Sequence, residues 1–178
     1  MLNIDTDATT IKTNTFTDAQ PQYVEVNGHQ YCFFLEDANG VEGIGNRTAS
    51  DRTVLVYCEF DSDSNAWTAP KAILDDGTAD FNFDVVSQGT QIYIVWQNIN
   101  KKFGDSEASV EDYYSMSDIS AAVLDIYSGK VSEYKVASTD HADLLPKVAA
   151  KGSNVTIAWY ESKNNEITSR CIKLCNSW

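Results

Sequence analysis

Apolar residues along this chain fall in short runs separated by turn residues. Pro21–Val26 alternates apolar and polar, Asn27-Gly28 is a strong hairpin signal, and Gln30–Leu35 reads as the return strand. The pattern Ser87-Gln-Gly-Thr-Gln-Ile-Tyr-Ile-Val-Trp96 recurs as Ala150-Lys-Gly-Ser-Asn-Val-Thr-Ile-Ala-Trp159. Val26–Leu35 is a third copy with Leu35 in the tryptophan position. The glycines Gly28, Gly89 and Gly152 set spacings of 61 and 63 residues. That period suits one four-stranded propeller blade with generous loops.

The other runs fill in the unit. Arg52–Phe60 and Trp67–Leu74 read as third and fourth strands of the first copy. Phe83–Ser87, Gln91–Gln97, Ile119–Tyr127 and Val131–Ala137 make the second set. Leu145–Ala149, Val155–Tyr160 and Ile167–Leu174 begin a third, and Trp178 aligns with Trp67. Near-continuous apolar runs such as Ile92–Trp96 suit strands covered on both faces. No stretch reads as a convincing helix. The pattern predicts an all-β, β-propeller-like array of about three four-stranded blades, with a β-sandwich as the alternative. The blade equivalents are residues 20–79, 80–142 and 143–178, and residues 1–19 hold a spare strand over Ile11–Phe16.

Three blades do not close a ring, and an open edge templates unwanted pairing. The expectation is a fragment of a larger propeller, or a homodimer that closes six blades with one chain's N-terminal strand completing the other's last blade.

Composition narrows the function. The net charge of −13 and the lack of a basic patch speak against nucleic acid. No apolar run is long enough for a membrane span, and the N-terminus shows no signal peptide. Cys32, Cys58, Cys171 and Cys175 have no zinc spacing and read as small buried hydrophobes, with disulfides the alternative.

The pattern around Pro146-Lys-Val-Ala-Ala and Val155-Thr-Ile-Ala-Trp159 resembles the repeats of bacterial sialidase-like (BNR-type) β-propellers, over about residues 20–178. That resemblance implies a propeller on which both enzymes and non-enzymes are built. It also implies an Asp-box in the third-to-fourth-strand turn. Here the turn is Asp61-Ser-Asp-Ser-Asn-Ala-Trp67, which keeps the tryptophan but lacks the glycine and the spacing. A sialidase clamps its substrate carboxylate with three arginines. Arg47, Arg52 and Arg170 match no motif of the family, so no catalytic residue is carried over.

Propeller connectivity puts the long loops Asp37–Asp51 and Asn98–Asp118 on one face, where binding is expected. The candidate ligand contacts there are Trp96, Asp112, Tyr113, Tyr114, Trp159, Tyr160 and Glu161. Trp96 and Trp159 also suit inter-blade packing, and Tyr113-Tyr114 suits either a sugar ring or a pin that holds the loop. Asp112 with Glu161 would be the carboxylate pair of a glycoside hydrolase. Asp61, Asp63 and Asn65 offer oxygen ligands at alternate positions, the start of a calcium loop. Ala66 and Ala72 replace its glycine and glutamate, so no cofactor is assigned beyond calcium at that turn.

The expected function is a non-catalytic module that binds a glycan or a protein partner, extracellular or at the cell surface. The alternatives are part of a sialidase-like glycoside hydrolase and a structural assembly repeat.

Overall fold

The computed structural model describes residues 10–163 and 166–173. The chain is all-β, built from three antiparallel sheets in chain order. The first holds β1 (Gln22–Val26), β2 (His29–Asp37), β3 (Thr53–Asp61), β4 (Ala66–Trp67) and β5 (Lys71–Ala72). The second holds β6 (Asp80–Gln88), β7 (Gln91–Ile99), β8 (Ser117–Asp125) and β9 (Val131–Ala137). The third holds β10 (Asp143–Lys151), β11 (Asn154–Glu161) and β12 (Glu166–Lys173). The innermost strands β1, β6 and β10 lie side by side, so the sheets fan out as propeller blades, not as the two layers of a sandwich.

The alternation of side chains along each strand explains the packing. Tyr31, Phe33 and Leu35 of the first sheet meet Ile92, Ile94 and Trp96 of the second in one core cluster. Val95, Ile119 and Ala121, on the opposite face of the second sheet, meet Ile157 and Trp159 of the third. A sheet covered on both faces needs apolar residues at odd and even positions alike, which is why Ile92–Trp96 is apolar throughout. Polar rungs repeat between blades. Gln22 bonds the backbone of Phe83 and Val85 (2.9 and 3.3 Å), and Asp84 accepts from Val148 N (2.9 Å).

Four expectations change. The first concerns repeat register. Gly28 is the second residue of its turn, because Val26 pairs with His29. Gly89 and Gly152 are the first residues of theirs, because Gln88 pairs with Gln91 and Lys151 with Asn154. Aligning glycines therefore slips the first copy by one residue, and a one-residue slip swaps faces. Phe34, not Leu35, stands where Trp96 and Trp159 stand.

The second is the spare strand. Residues 10–19 form bends and turns instead, and Ile11 and Ala19 cover the outer face of the chain's own first sheet together with Ile44 and Trp67. The third is the strand Trp67–Leu74, which breaks into β4 and β5 around Pro70 because proline brings no N–H to the ladder. The fourth is the long polar loop, which contains a short helix, α1 (Val110–Ser115).

Cys32 and Cys58 face each other across β2 and β3 as free, buried thiols. Cys171 lies in β12 opposite Thr156, while Cys175 and Trp178 fall outside the described residues.

Candidate functional site

Each blade starts its inner strand with one residue in the left-handed region: Gln20 (φ 52°), Asn82 (φ 33°) and Leu145 (φ 53°). For a non-glycine residue this costs about 1–2 kcal/mol, less for Asn than for Leu. In β6 and β10 these residues sit at breaks in strand register. Asn82 and Leu145 line a groove of about 220 Å³ at the long-loop end, between the second and third sheets. Phe81, Gln97 and Leu144 complete its strand-borne wall, and Val110, Tyr113 and Tyr114 of α1 form the other side. Asn82 Nδ2 donates to Gln97 Oε1 (3.0 Å) and Gln97 Nε2 to Ser117 Oγ (2.9 Å). Ser117 Oγ donates in turn to the Tyr113 carbonyl (2.6 Å). The amide pair is thus held from behind, leaving Asn82 Oδ1 with no donor among the described residues.

Local chemistry places α1. Ser109 and Asp112 form a capping box: Ser109 Oγ accepts from Asp112 N (3.1 Å), and Asp112 Oδ2 accepts from Ser109 N (2.8 Å). Ser109 Oγ also donates to Asp112 Oδ2 (2.7 Å), and this bond, together with the one from Ser109 N, holds the Asp112 carboxyl below its usual range. Tyr113 packs edge-on against Phe81 and Phe103 and donates its hydroxyl to the Ser50 carbonyl (2.8 Å). One residue further around the helix, Tyr114 is 52% exposed.

The two long loops are clamped together. Buried Asp51 accepts from Phe103 N (2.9 Å) and Gly104 N (2.7 Å), and Ser50 Oγ donates to the Ser106 carbonyl (3.1 Å). The buried Arg47 guanidinium bonds the Thr78 and Asp51 carbonyls and pairs with Asp75. These loops are therefore a rigid platform on this end of the fan.

The tryptophans have a different role. Trp96 and Trp159 are both buried in inter-blade clusters, which corrects the expectation that they touch ligand. Each partners an aspartate of its own blade, sixteen residues earlier. Trp159 Nε1 donates to Asp143 Oδ1 (2.9 Å). Trp96 points its indole N–H at Asp80 but stops short of full hydrogen-bond geometry. Asp80 Oδ2 accepts from Leu55 N across the blade boundary (2.9 Å), and burial pushes its carboxyl up to about 8. Asp143, which also accepts from Thr139 Oγ1 (3.0 Å), is raised by burial as well.

Glu161 lies at a second cavity, a crevice of about 440 Å³ between β9 and β12. Its Oε1 meets His141 Nε2 (2.8 Å), its Oε2 accepts from Thr168 Oγ1 (3.2 Å), and His141 Nδ1 meets Asp140 (2.5 Å). The flanking carboxylates raise His141, and His141 lowers Glu161. Lys135 pairs with Asp118 (2.8 Å), and Arg170 donates to the Val136 carbonyl. Glu161 and Asp112 thus serve separate local structures, the one bonded to His141 and Thr168 and the other capping α1. Tyr160 is partly buried next to Trp159 in β11, on the opposite face of the strand.

Asp61 closes the turn it starts, accepting from Asp63 N (3.0 Å) and Ser64 Oγ (2.7 Å), while Asn65 takes a positive φ of 51°. Among the described residues, no group of three or more His, Cys, Asp or Glu side chains is placed to hold a metal ion. No helix among them is long and apolar enough to cross a membrane.

No family model matches the chain, and no curated protein matches it. Solved structures do. An α-L-arabinofuranosidase from Lactobacillus brevis superposes with a TM-score of 0.53 at 12% identity, over 90% of this chain and 54% of that one. A family 117 glycoside hydrolase from the marine bacterium Zobellia galactanivorans gives 0.50 at 13% identity, over 92% and 56%. A mutant Trypanosoma rangeli sialidase with trans-sialidase activity gives 0.50 at 12%, over 88% and 28%. The chain therefore spans about half the length of the first two or less, and at these identities the likeness is one of fold.

Sequence reasoning named Tyr113 and Tyr114 but missed Asn82, Gln97 and Leu145. A signal was present. Asp18, Asp80 and Asp143 each precede the left-handed residue by two and Phe34, Trp96 or Trp159 by sixteen. That spacing marks both the correct register and the kinked strand entry.

Proposed function

We propose that this protein binds a glycan, without cleaving it, through the groove between the second and third blades. The observation that carries the reading is the exposed Tyr114 ring beside the fixed Asn82–Gln97 amide pair. An aromatic face takes the C–H face of a sugar, and a pinned amide reads its hydroxyls. The volume, about 220 Å³, is below that of a drug-sized pocket and suits a single sugar ring. Among the described residues no carboxylate lines the groove, whereas glycoside hydrolysis uses a carboxylate pair across the scissile bond. The fold supports the reading too, because the glycoside hydrolases and sialidase it resembles are named for sugar chemistry. A glycan reader of this type works on glycans outside the cell or on its surface, where we place the protein.

A glycan array probed with the wild type and with Tyr114→Ala tests the proposal. The expected result is a set of hits that Tyr114→Ala loses. An array without hits, or hits indifferent to Tyr114, would overturn it.

A further inference from the structure

Resting on the reading of the groove as a glycan site, we infer that its ligand is an uncharged sugar and that sugars bearing a carboxylate are rejected. The groove is lined by Phe81, Asn82, Gln97, Leu144 and Leu145 from the strands and by Val110, Tyr113 and Tyr114 from α1, and none of these side chains is charged. A carboxylate brought there would lose water and gain no cation, an uncompensated cost.

The chain's arginines are committed elsewhere. Arg47 is buried in the loop clamp, Arg170 bonds the Val136 carbonyl beside the crevice, and Arg52 lies 3.5 Å from Asp37. Among the nearby lysines, Lys101 sits over the Phe103 ring (5.3 Å) and Lys102 reaches toward Gly77. Lys147, two residues beyond Leu145, lies 3.5 Å from Asp84. Glu111 and Asp112 occupy the first turn of α1 directly after Val110, and the capping bonds of Asp112 favour its ionised form. The chain as a whole carries −13. Local and global fields therefore both repel an anion.

A neutral ring meets the opposite situation. A sugar hydroxyl both donates and accepts, which matches an amide pair whose outer acceptor, Asn82 Oδ1, faces no donor among the described residues. Val110 and Leu145, both exposed, offer an apolar rim for its C–H edges.

The test is an NMR titration of the whole chain with methyl galactoside and methyl galacturonide, which differ by a carboxylate on the same ring. The galactoside is expected to bind at least about tenfold more tightly, a gap of about 1.4 kcal/mol. Glu111→Lys, at an exposed position outside the lining, is expected to narrow that gap at least about threefold by reversing the charge at the mouth. A galacturonide that binds the wild type as tightly as the galactoside overturns this inference and leaves the glycan reading standing. A gap that Glu111→Lys does not narrow overturns its electrostatic basis. No shift from either sugar overturns both.

Discussion

The groove beside Tyr114 and the crevice beside Glu161 both lie between the second and third blades, yet they treat their polar atoms differently. In the crevice the charged groups are matched within the protein: Glu161 with His141 and Thr168, Lys135 with Asp118, Arg170 with a carbonyl. In the groove the Asn82–Gln97 pair is held from behind and ringed by apolar side chains with exposed rims. The crevice is the larger space, about 440 against 220 Å³. Size is therefore a poor guide here. A cavity whose polar atoms already have partners offers a ligand little, and displacing those partners costs what they contribute.

Substitutions can break this contrast, and the largest effect belongs to the wall of the crevice. Trp159→Ala should destabilise the protein by about 3–5 kcal/mol in denaturant unfolding, because it empties a core site and takes away the indole donor to Asp143 Oδ1. A loss under about 1 kcal/mol would mean that Trp159 is a surface aromatic after all. Tyr114→Ala should do the reverse. Sugar affinity should fall about tenfold by titration, with stability changed by no more than about 0.5 kcal/mol.

The pH dependence separates the regions further. Asp80 has a carboxyl raised to about 8 by burial, so the folded state holds its proton more tightly than the unfolded state does. Its contribution is full below the ordinary carboxylate range and is lost as pH rises toward about 8. Asp80→Asn keeps an acceptor for Leu55 N and should flatten that decline, giving a higher melting temperature than wild type above pH 8.

The smallest expected effect is at the crevice mouth. His141 is raised, so its contribution is present below its ordinary value and lost as pH climbs through the raised one. Asp140 and Glu161 are lowered, so theirs is present above the ordinary carboxylate range and lost as pH falls through the lowered values. The cluster is strongest in the mildly acidic window between. His141→Gln should remove the alkaline side of that dependence in melting curves and leave sugar affinity unaltered.

The blades were legible because the strand runs and turn residues repeat, and because strands buried on two faces must be apolar at consecutive positions. The register was legible only in part. Gly28 and Gly89 look equivalent but occupy different turn positions, and local sequence does not reveal the slip without the Asp-to-aromatic spacing. The helix left a trace, since Ser109 and Asp112 stand three apart as a capping box does. Within the site, aromatic loop residues were visible by type, but exposure decides between neighbours such as Tyr113 and Tyr114. That depends on Ser50 and Phe81, residues far away in the chain. The amide pair was invisible because Asn82 and Gln97 meet only through strand pairing, at a register break that sequence pattern does not announce.

The most direct test is to map where a neutral sugar lands. Side-chain amide signals of Asn82 and Gln97 can be followed as methyl galactoside is added, alongside backbone signals of Thr139 and Thr168 at the crevice. The account predicts saturable shifts at Asn82 and Gln97 and none at the crevice pair. Shifts centred on Thr139 and Thr168, with the groove amides still, would contradict it.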